Sequence, residues 1–445
     1  MTAQRSGGGG PDEGFDLIVV GLGYVGLPLA VPACRAGLRT AGLDVAADVV
    51  DGLNAGRSHV GDVPDSTVAD MLAAGFSATA DPAVLAAAET IVLCVPTGLT
   101  EAGEPDLSAV RAAASTVGQQ LRPGTLVCLE STSYPGTTEE VVRPILERGS
   151  GLRAGEDFHL VYSPERIDPG NALFGMHNTP KVISGCTALC AKHGEAFYER
   201  FAGSVVAARG TREAETAKLL ENSYRYVNIA VVNELAVFCD RTGIDVWDVL
   251  RCAGTKPFGF APFQPGPGVG GHCIPVDPRY LQQRGREQGF AFRTLESARA
   301  VNERMPQHVV DRVHALLEAR GKHLRGSRVL LLGAAYKPDV ADTRESPAYP
   351  VAEELLARGA DVAFHDPHVP EFTVRGALLS KVDDWSAAVP STDALVLLQD
   401  HSCYDRRQLA LSGCPLLDTR GPGAPDIGVD DIGSTGGAGG FREEG

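Results

Sequence analysis

The chain has 445 residues, 44% hydrophobic and 22% charged, with 40 basic against 56 acidic side chains and a formal net charge of −16. That length suits two to four domains, each able to bury a core, and the composition excludes a disordered or fibrous protein. The acidic balance argues against a nucleic-acid-binding role, because phosphate neutralisation needs a basic face, and no apolar run approaches the roughly 20 residues that span a bilayer.

Residues 1–14 are polar and Gly-rich, without the apolar stretch of a secretory signal, and read as a flexible tail on a cytoplasmic protein. From 15 to 208, apolar runs at Asp16–Val20, Thr40–Leu43, Ile91–Val95, Leu126–Leu129 and His159–Tyr162 alternate with Ala-rich stretches. This predicts a parallel sheet with helices on both faces. The first run enters GLGYVG, whose Gly21, Gly23 and Gly26 suit a tight turn, close approach to a pyrophosphate, and close helix–strand packing. The intervening Tyr24 and Val25 open the helix, whose N-terminus favours phosphate. Asp44, 18 residues past Gly26, stands where a carboxylate binds the adenosine ribose and repels a 2′-phosphate, so NAD is expected rather than NADP. Pro32 lies inside the predicted helix, where proline costs roughly 3 kcal/mol, so a kink or an earlier helix end is expected. Two more strand ends, Cys94–Thr97 with Pro96 and Thr97, and Glu130–Thr138 with Ser131 and Thr132, belong to the same ligand-binding edge.

Residues 209–325 read as helical. A helix is predicted from Thr211, as its cap, to about Thr242, with Glu213 and Glu215 near its positive end. A second runs from Thr294 to Arg320 with a kink at Pro306. Between them, PGPGVGGHCIPVDP holds four glycines in six positions up to Gly271, Gly270 among them, and then Cys273. Asp277 is placed to cap the next helix, with Pro278 at its first position. A cysteine near a helix start with a cation nearby is expected to have a lowered pKa and to act as a nucleophile. Lys218 and Asn222, spaced i, i+4, share a helix face and suit stabilisation of an oxyanion. Glu165 follows a strand and suits acid–base work; the plainer reading is a surface salt bridge with Arg166. From 326 to 428 the strand–helix pattern returns, with strands at Arg328–Leu332, Ala360–Phe364, Ala394–Leu398 and Pro415–Leu417. Lys337, Arg344 and Arg420 are cations at its strand ends, fit for a second phosphate-bearing ligand. Residues 429–445 read as a second flexible tail. The ten cysteines include no CxxC pair and share no zinc spacing with the eleven histidines, so neither a disulfide scaffold nor a metal site is expected. Only seven of the 40 basic residues are Lys, which makes each retained Lys more informative.

Taken in order, GLGYVGLPLA, CVPT, ESTSYPGTTEE, YSPERIDPGN, the Lys218/Asn222 helix, GVGGHCIPVDP and AAYKPDVADTRESPA resemble the UDP-glucose/GDP-mannose dehydrogenase family from about Phe15 to Arg420. The resemblance implies an N-terminal Rossmann domain, a central all-helical dimerisation domain and a C-terminal Rossmann-like domain binding the nucleotide sugar. It also implies a four-electron oxidation of a sugar C6 alcohol to a carboxylate with two NAD, in a homodimer. Carried over, Cys273 is the nucleophile, Lys218 and Asn222 stabilise the oxyanion, and Asp277 orders water and assists proton transfer. Glu165 aids thioester hydrolysis and Thr132 holds water and cofactor. Glu165 and Arg166, Lys218, Asn222, Gly270, Lys337 and Arg420 contact substrate, while Arg344 contacts cofactor. The loop forms look most like the branch oxidising UDP-N-acetylhexosamines, especially UDP-N-acetylglucosamine; UDP-glucose and UDP-N-acetylmannosamine are the alternatives. Ser184–Gly185 departs from the family's commoner paired glycines. A two-electron dehydrogenase would need neither Cys273 nor the third domain, and a silent nucleotide-sugar sensor would not need the reactive set.

Overall fold

The computed structural model describes residues 14–166 and 173–421. The expected tails, apart from Gly14, and the later part of YSPERIDPGN lie outside the described residues. The chain order opens with β1 (Phe15–Val20), α1 (Gly26–Arg35), β2 (Thr40–Leu43), α2 (Ala47–Asn54), α3 (Asp65–Ala73), β3 (Ser77–Thr79) and β4 (Ala88–Leu93). It continues with α4 (Ser108–Gln120), β5 (Leu126–Leu129), α5 (Arg143–Ser150), β6 (His159–Tyr162), β7 (Lys181–Gly185), α6 (Ala188–Tyr198) and β8 (Val205–Ala207). These strands form one sheet in the order β8-β7-β6-β5-β4-β1-β2-β3. Leu17 and Val19 pack on one face and Ile18 and Val20 on the other, all buried. Such two-sided burial is what a continuous apolar strand requires.

The expectation of an all-parallel sheet needs correction, because β6 and β7 run antiparallel. The expected strand at Ile91–Val95 is shifted to Ala88–Leu93, freeing Cys94–Thr97 for the ligand edge. α1 runs through Pro32 without ending. Packing of its buried residues against the sheet outweighs the local cost.

The helical section comprises α7 (Thr211–Thr242), α8 (Val246–Gly254), α9 (Asp277–Glu287), α10 (Arg293–Asn302) and α11 (Met305–Glu318). The long second helix is therefore broken rather than kinked: α10 ends at Asn302, and Pro306 occupies the first turn of α11, where its missing N–H costs nothing. Thr211 is not the cap of α7. Gly210 holds that position, and Thr211 donates to Glu139 at 2.8 Å. Glu215 serves the fold instead of the helix dipole. Its buried carboxylate accepts from Gly136 N at 2.6 Å, Thr138 N at 2.8 Å and Thr138 Oγ1 at 2.7 Å. It thereby pins α7 to the loop after β5.

The second α/β section contains β9 (Arg328–Leu332), α12 (Ala348–Ala357), β10 (Asp361–His365), β11 (Ser380–Lys381), α13 (Trp385–Ala388), β12 (Ala394–Leu397), α14 (Arg406–Leu411) and β13 (Leu416–Asp418). Its parallel sheet has the order β11-β10-β9-β12-β13.

Glu215→Ala leaves two backbone N–H groups and a hydroxyl unsatisfied in the interior. The expected loss is about 2–4 kcal/mol, visible as a melting temperature several degrees lower by scanning fluorimetry; an unchanged temperature would show that this clamp does not hold the two sections together.

Candidate active site

The glycine loop after β1 has the geometry its residues demand. Gly21 has φ +89°, and a Cβ there would lie 2.6 Å from Cys94 O. A Cβ on Gly26 would fall 1.8 Å from Gly21 O, whereas one on Gly23 would meet nothing within 4 Å. Gly23 thus borders open space, as a site for a pyrophosphate requires, and no side chain caps the first turn of α1 beside Val25. Asp44, at the end of β2, accepts from Leu22 N at 2.8 Å and Ala46 N at 3.0 Å, holding its carboxylate beside this loop. Ser131 Oγ donates to Val95 O at 2.7 Å, joining the ends of β4 and β5. Thr132 follows it, half-buried. Thr97 is buried and Pro96 exposed on the same edge. These residues fit a dinucleotide: open space at Gly23, uncapped amides, and a carboxylate one strand away.

The loop 265–276 lies between the two α/β sections. On one side, Gly271 N donates to Arg344 O at 3.1 Å, and a Cβ on Gly270 would come within 3.0 Å of Tyr336, Pro347 and Glu345. On the other side, Tyr280 Oη, from the helix that follows, donates to Gly98 O at 2.7 Å. His272 Nε2 lies 3.9 Å from where a Gly98 Cβ would stand. From below, Asn233 on α7 accepts from Gly266 N and donates to Asn302, each at 2.9 Å. Arg344 closes the gap between the two sections. Its guanidinium forks onto Asp342 and stacks over the Tyr24 ring at 4.8 Å.

Cys273 has part of its surface open to solvent, while its sulfur is densely surrounded by protein. Burial pushes the thiol up to about 11, aided by Asp277, while Lys218, Arg344 and Arg225 pull the other way. The expected lowering is therefore not present in the free protein, because desolvation outweighs the nearby cations. Asp277 also departs from its expected part. It is the first residue of α9 but does not cap it. Its buried carboxylate instead accepts from Asn222 Nδ2. Burial lifts Asp277 to about 6, against the opposing pull of Lys218 and Asn222. Lys218, Asn222, Asp277 and Cys273 are thus brought together by α7 and the start of α9.

Glu165 is not in a salt bridge with the Arg166 side chain. Arg166 pairs with Glu221 at 2.8 Å, while Glu165 lies 3.3 Å from Lys181 Nζ. Lys181 is 4% exposed and lies 2.9 Å from Glu130, which is fully buried and also accepts from Tyr198. Burial lifts Glu130 to about 7 despite Lys181. The reading from sequence missed Lys181 and Glu130. The available signal was an uncommon Lys opening the otherwise apolar KVISG run. Arg420 Nε donates to Leu398 O at 2.6 Å, with its guanidinium near Gly266, and burial draws it down to about 10. Lys337 is half-buried, one residue beyond Tyr336 at the end of the β9 loop.

With the thiol near 11, about one in 10⁴ is ionised at pH 7. Alkylation of Cys273 by iodoacetamide, followed on its own peptide, should accelerate about tenfold per pH unit from pH 7 to 10 and slow further in Lys218→Met. A plateau by pH 8.5 would show a thiol already activated without ligands.

Comparison with known proteins identifies the family. Residues 16–202, 212–304 and 330–422 match, in order, the NAD binding, central and UDP binding domains of the UDP-glucose/GDP-mannose dehydrogenase family. The chain is 36% identical to a UDP-N-acetyl-D-mannosamine dehydrogenase of Yersinia pestis, covering 87% of this chain and 93% of that one. It is 38% identical to a UDP-N-acetyl-D-glucosamine 6-dehydrogenase of Pseudomonas aeruginosa, covering 79% and 82%. A UDP-D-ManNAc dehydrogenase structure from Pyrococcus horikoshii superposes with TM-score 0.83 at 32% identity, over 93% and 97% of the two chains. The chain therefore belongs to the UDP-glucose/GDP-mannose dehydrogenase family and is an NAD-dependent oxidoreductase acting on the CH–OH group of a nucleotide sugar.

Proposed function

We propose that this enzyme oxidises C6 of a UDP-N-acetylhexosamine to the carboxylate in a four-electron reaction through a covalent intermediate on Cys273. The observation that carries the reading is that Cys273, on a loop gripped by both α/β sections, is brought together with Lys218 and Asn222 of α7 and Asp277 of α9. NAD, when bound, supplies the hydride acceptor, one molecule for each of the two oxidation steps. Gly21, Gly23, Gly26 and Asp44 would hold its adenosine diphosphate half. Pro96, Thr97, Ser131 and Thr132 would line the path toward the reacting carbon.

Cys273 adds to the aldehyde and holds it as a thiohemiacetal, so that the half-oxidised sugar cannot leave. Lys218 and Asn222 stabilise the oxygen that gains charge on addition. Asp277, ionised above about pH 6, takes up the proton released by the thiol, directly or through water. After the second oxidation the sugar is a thioester, and Glu165 activates the water that cleaves it. Lys181, 3.3 Å away, holds that carboxylate in place. Lys337 and Arg420 from the second α/β section, with Arg166, would bind the substrate, and Arg344 would close over the cofactor. The reaction is assigned to the cytoplasm, in keeping with ten free cysteines.

The N-acetylhexosamine reading rests on the loop forms around Cys273 and on the names of the relatives, which divide between the mannosamine and glucosamine epimers. A homodimer is part of the same proposal. Leu220, Tyr224, Val231 and Phe238, all more than half exposed, fall on one stripe of α7, an apolar face that a second copy would cover.

A panel of UDP-GlcNAc, UDP-ManNAc, UDP-GalNAc and UDP-glucose, read by NADH absorbance, should yield two NADH per acetamido sugar consumed. Turnover should fall by about 10³-fold or more in Cys273→Ser. One NADH per sugar with an active Ser variant would mean a two-electron dehydrogenase, and preference for UDP-glucose would overturn the sugar assignment. Light scattering should give a dimer for the wild type and a monomer for Val231→Glu/Phe238→Glu; a dimeric variant would move the interface elsewhere.

A further inference from the structure

Two thiols outside the proposed chemistry meet at the opposite end of β6 from Glu165. Cys186 directly follows β7, and Cys190 lies in the first turn of α6. Their sulfurs are 3.5 Å apart. The backbone makes that approach possible, since a Cβ on Gly185 would fall 2.8 Å from Cys190 Cβ. A larger residue at 185 would separate strand and helix.

The surroundings favour sulfur chemistry. Cys186 is half-buried and Cys190 fully enclosed. Thr187 caps α6 by accepting from Cys190 N at 3.1 Å, and its hydroxyl lies 3.1 Å from Cys190 Sγ as a donor. His159 Nδ1 is 3.8 Å from the same sulfur, and its ring stacks on His193 at 3.7 Å. A hydrogen bond from Cys186 lowers the pKa of Cys190, and the same contact raises that of Cys186, so the pair shares one proton. The positive end of α6 adds to the stabilisation of a thiolate there.

We propose that Cys186 and Cys190 form a redox-active dithiol that takes a low-molecular-weight disulfide as its substrate and closes to an intramolecular disulfide. The accessible Cys186 passes its proton to the Cys190 thiolate 3.5 Å away and attacks one sulfur of RSSR; a Cys186–SR bond forms, and the RS⁻ that leaves takes that proton from Cys190. The Cys190 thiolate then attacks the Cys186 sulfur, forming the internal disulfide and expelling the second RS⁻. The one proton the pair shares ends on the first RS⁻, and water protonates the second. Two electrons pass from the protein to the small disulfide.

Trypsin cutting after Lys181 and Lys192 places both cysteines in one peptide, residues 182–192. The native enzyme is treated with hydroxyethyl disulfide, blocked with N-ethylmaleimide, digested and weighed. The peptide should be lighter by two hydrogens and carry neither blocking group, and dithiothreitol before blocking should restore two blocked thiols. Cys190→Ser should instead hold a mixed disulfide on Cys186. The wild-type result stands by itself if that variant fails to fold. If peptide 182–192 keeps two blocked thiols while the exposed Cys273 is converted, or keeps a stable mixed disulfide on Cys186, the proposal is wrong.

Discussion

Cys273 can act on a substrate shared by two α/β sections only if its loop is held by both at once. A glycine-rich loop loses more conformational entropy on ordering than any other, so it needs fixed partners. It finds them in backbone and side-chain contacts of different origin: Arg344 O and Tyr336 from one section, Gly98 O through Tyr280 from the other, and Asn233 from the long helix beneath. Gly270 and Gly271 are small because Tyr336, Pro347 and Glu345 occupy the volume a side chain would need.

The same arrangement sets the electrostatics. Enclosing the thiol and Asp277 raises both pKa values, and Lys218 opposes each rise. Desolvation wins in the free protein, so the Cys273 thiol is neutral at rest. Buried charge recurs at Glu130–Lys181–Glu165, where one ammonium serves two carboxylates. Removing one member of such a group costs more than the pair contributes, because an uncompensated charge is left behind.

Much of this was legible in the sequence, for local reasons. β2, β5, β6 and α7 fall where apolar periodicity and turn residues place them, and the GLGYVG loop has the geometry that its three glycines imply. What stayed hidden depends on partners distant in sequence. β3 and β8 have three residues each, too short for a period to show. Glu215 reads as a dipole-favouring acid, but its partners are 77 and 79 residues away. Asp277 reads as a cap, but Asn222 claims its carboxylate from 55 residues away. The acidity of Cys273 was misjudged because the cations could be seen in the sequence and the burial could not.

The claim at the centre is that Cys273 is covalently bonded to the sugar during turnover. Acid-quenching Glu165→Gln with UDP-N-acetylhexosamine and NAD, then weighing the peptide that holds Cys273, tests it directly. The account predicts a uronyl adduct on that cysteine, released by hydroxylamine as a thioester is. An unmodified Cys273 in a variant that still makes its first NADH would contradict it.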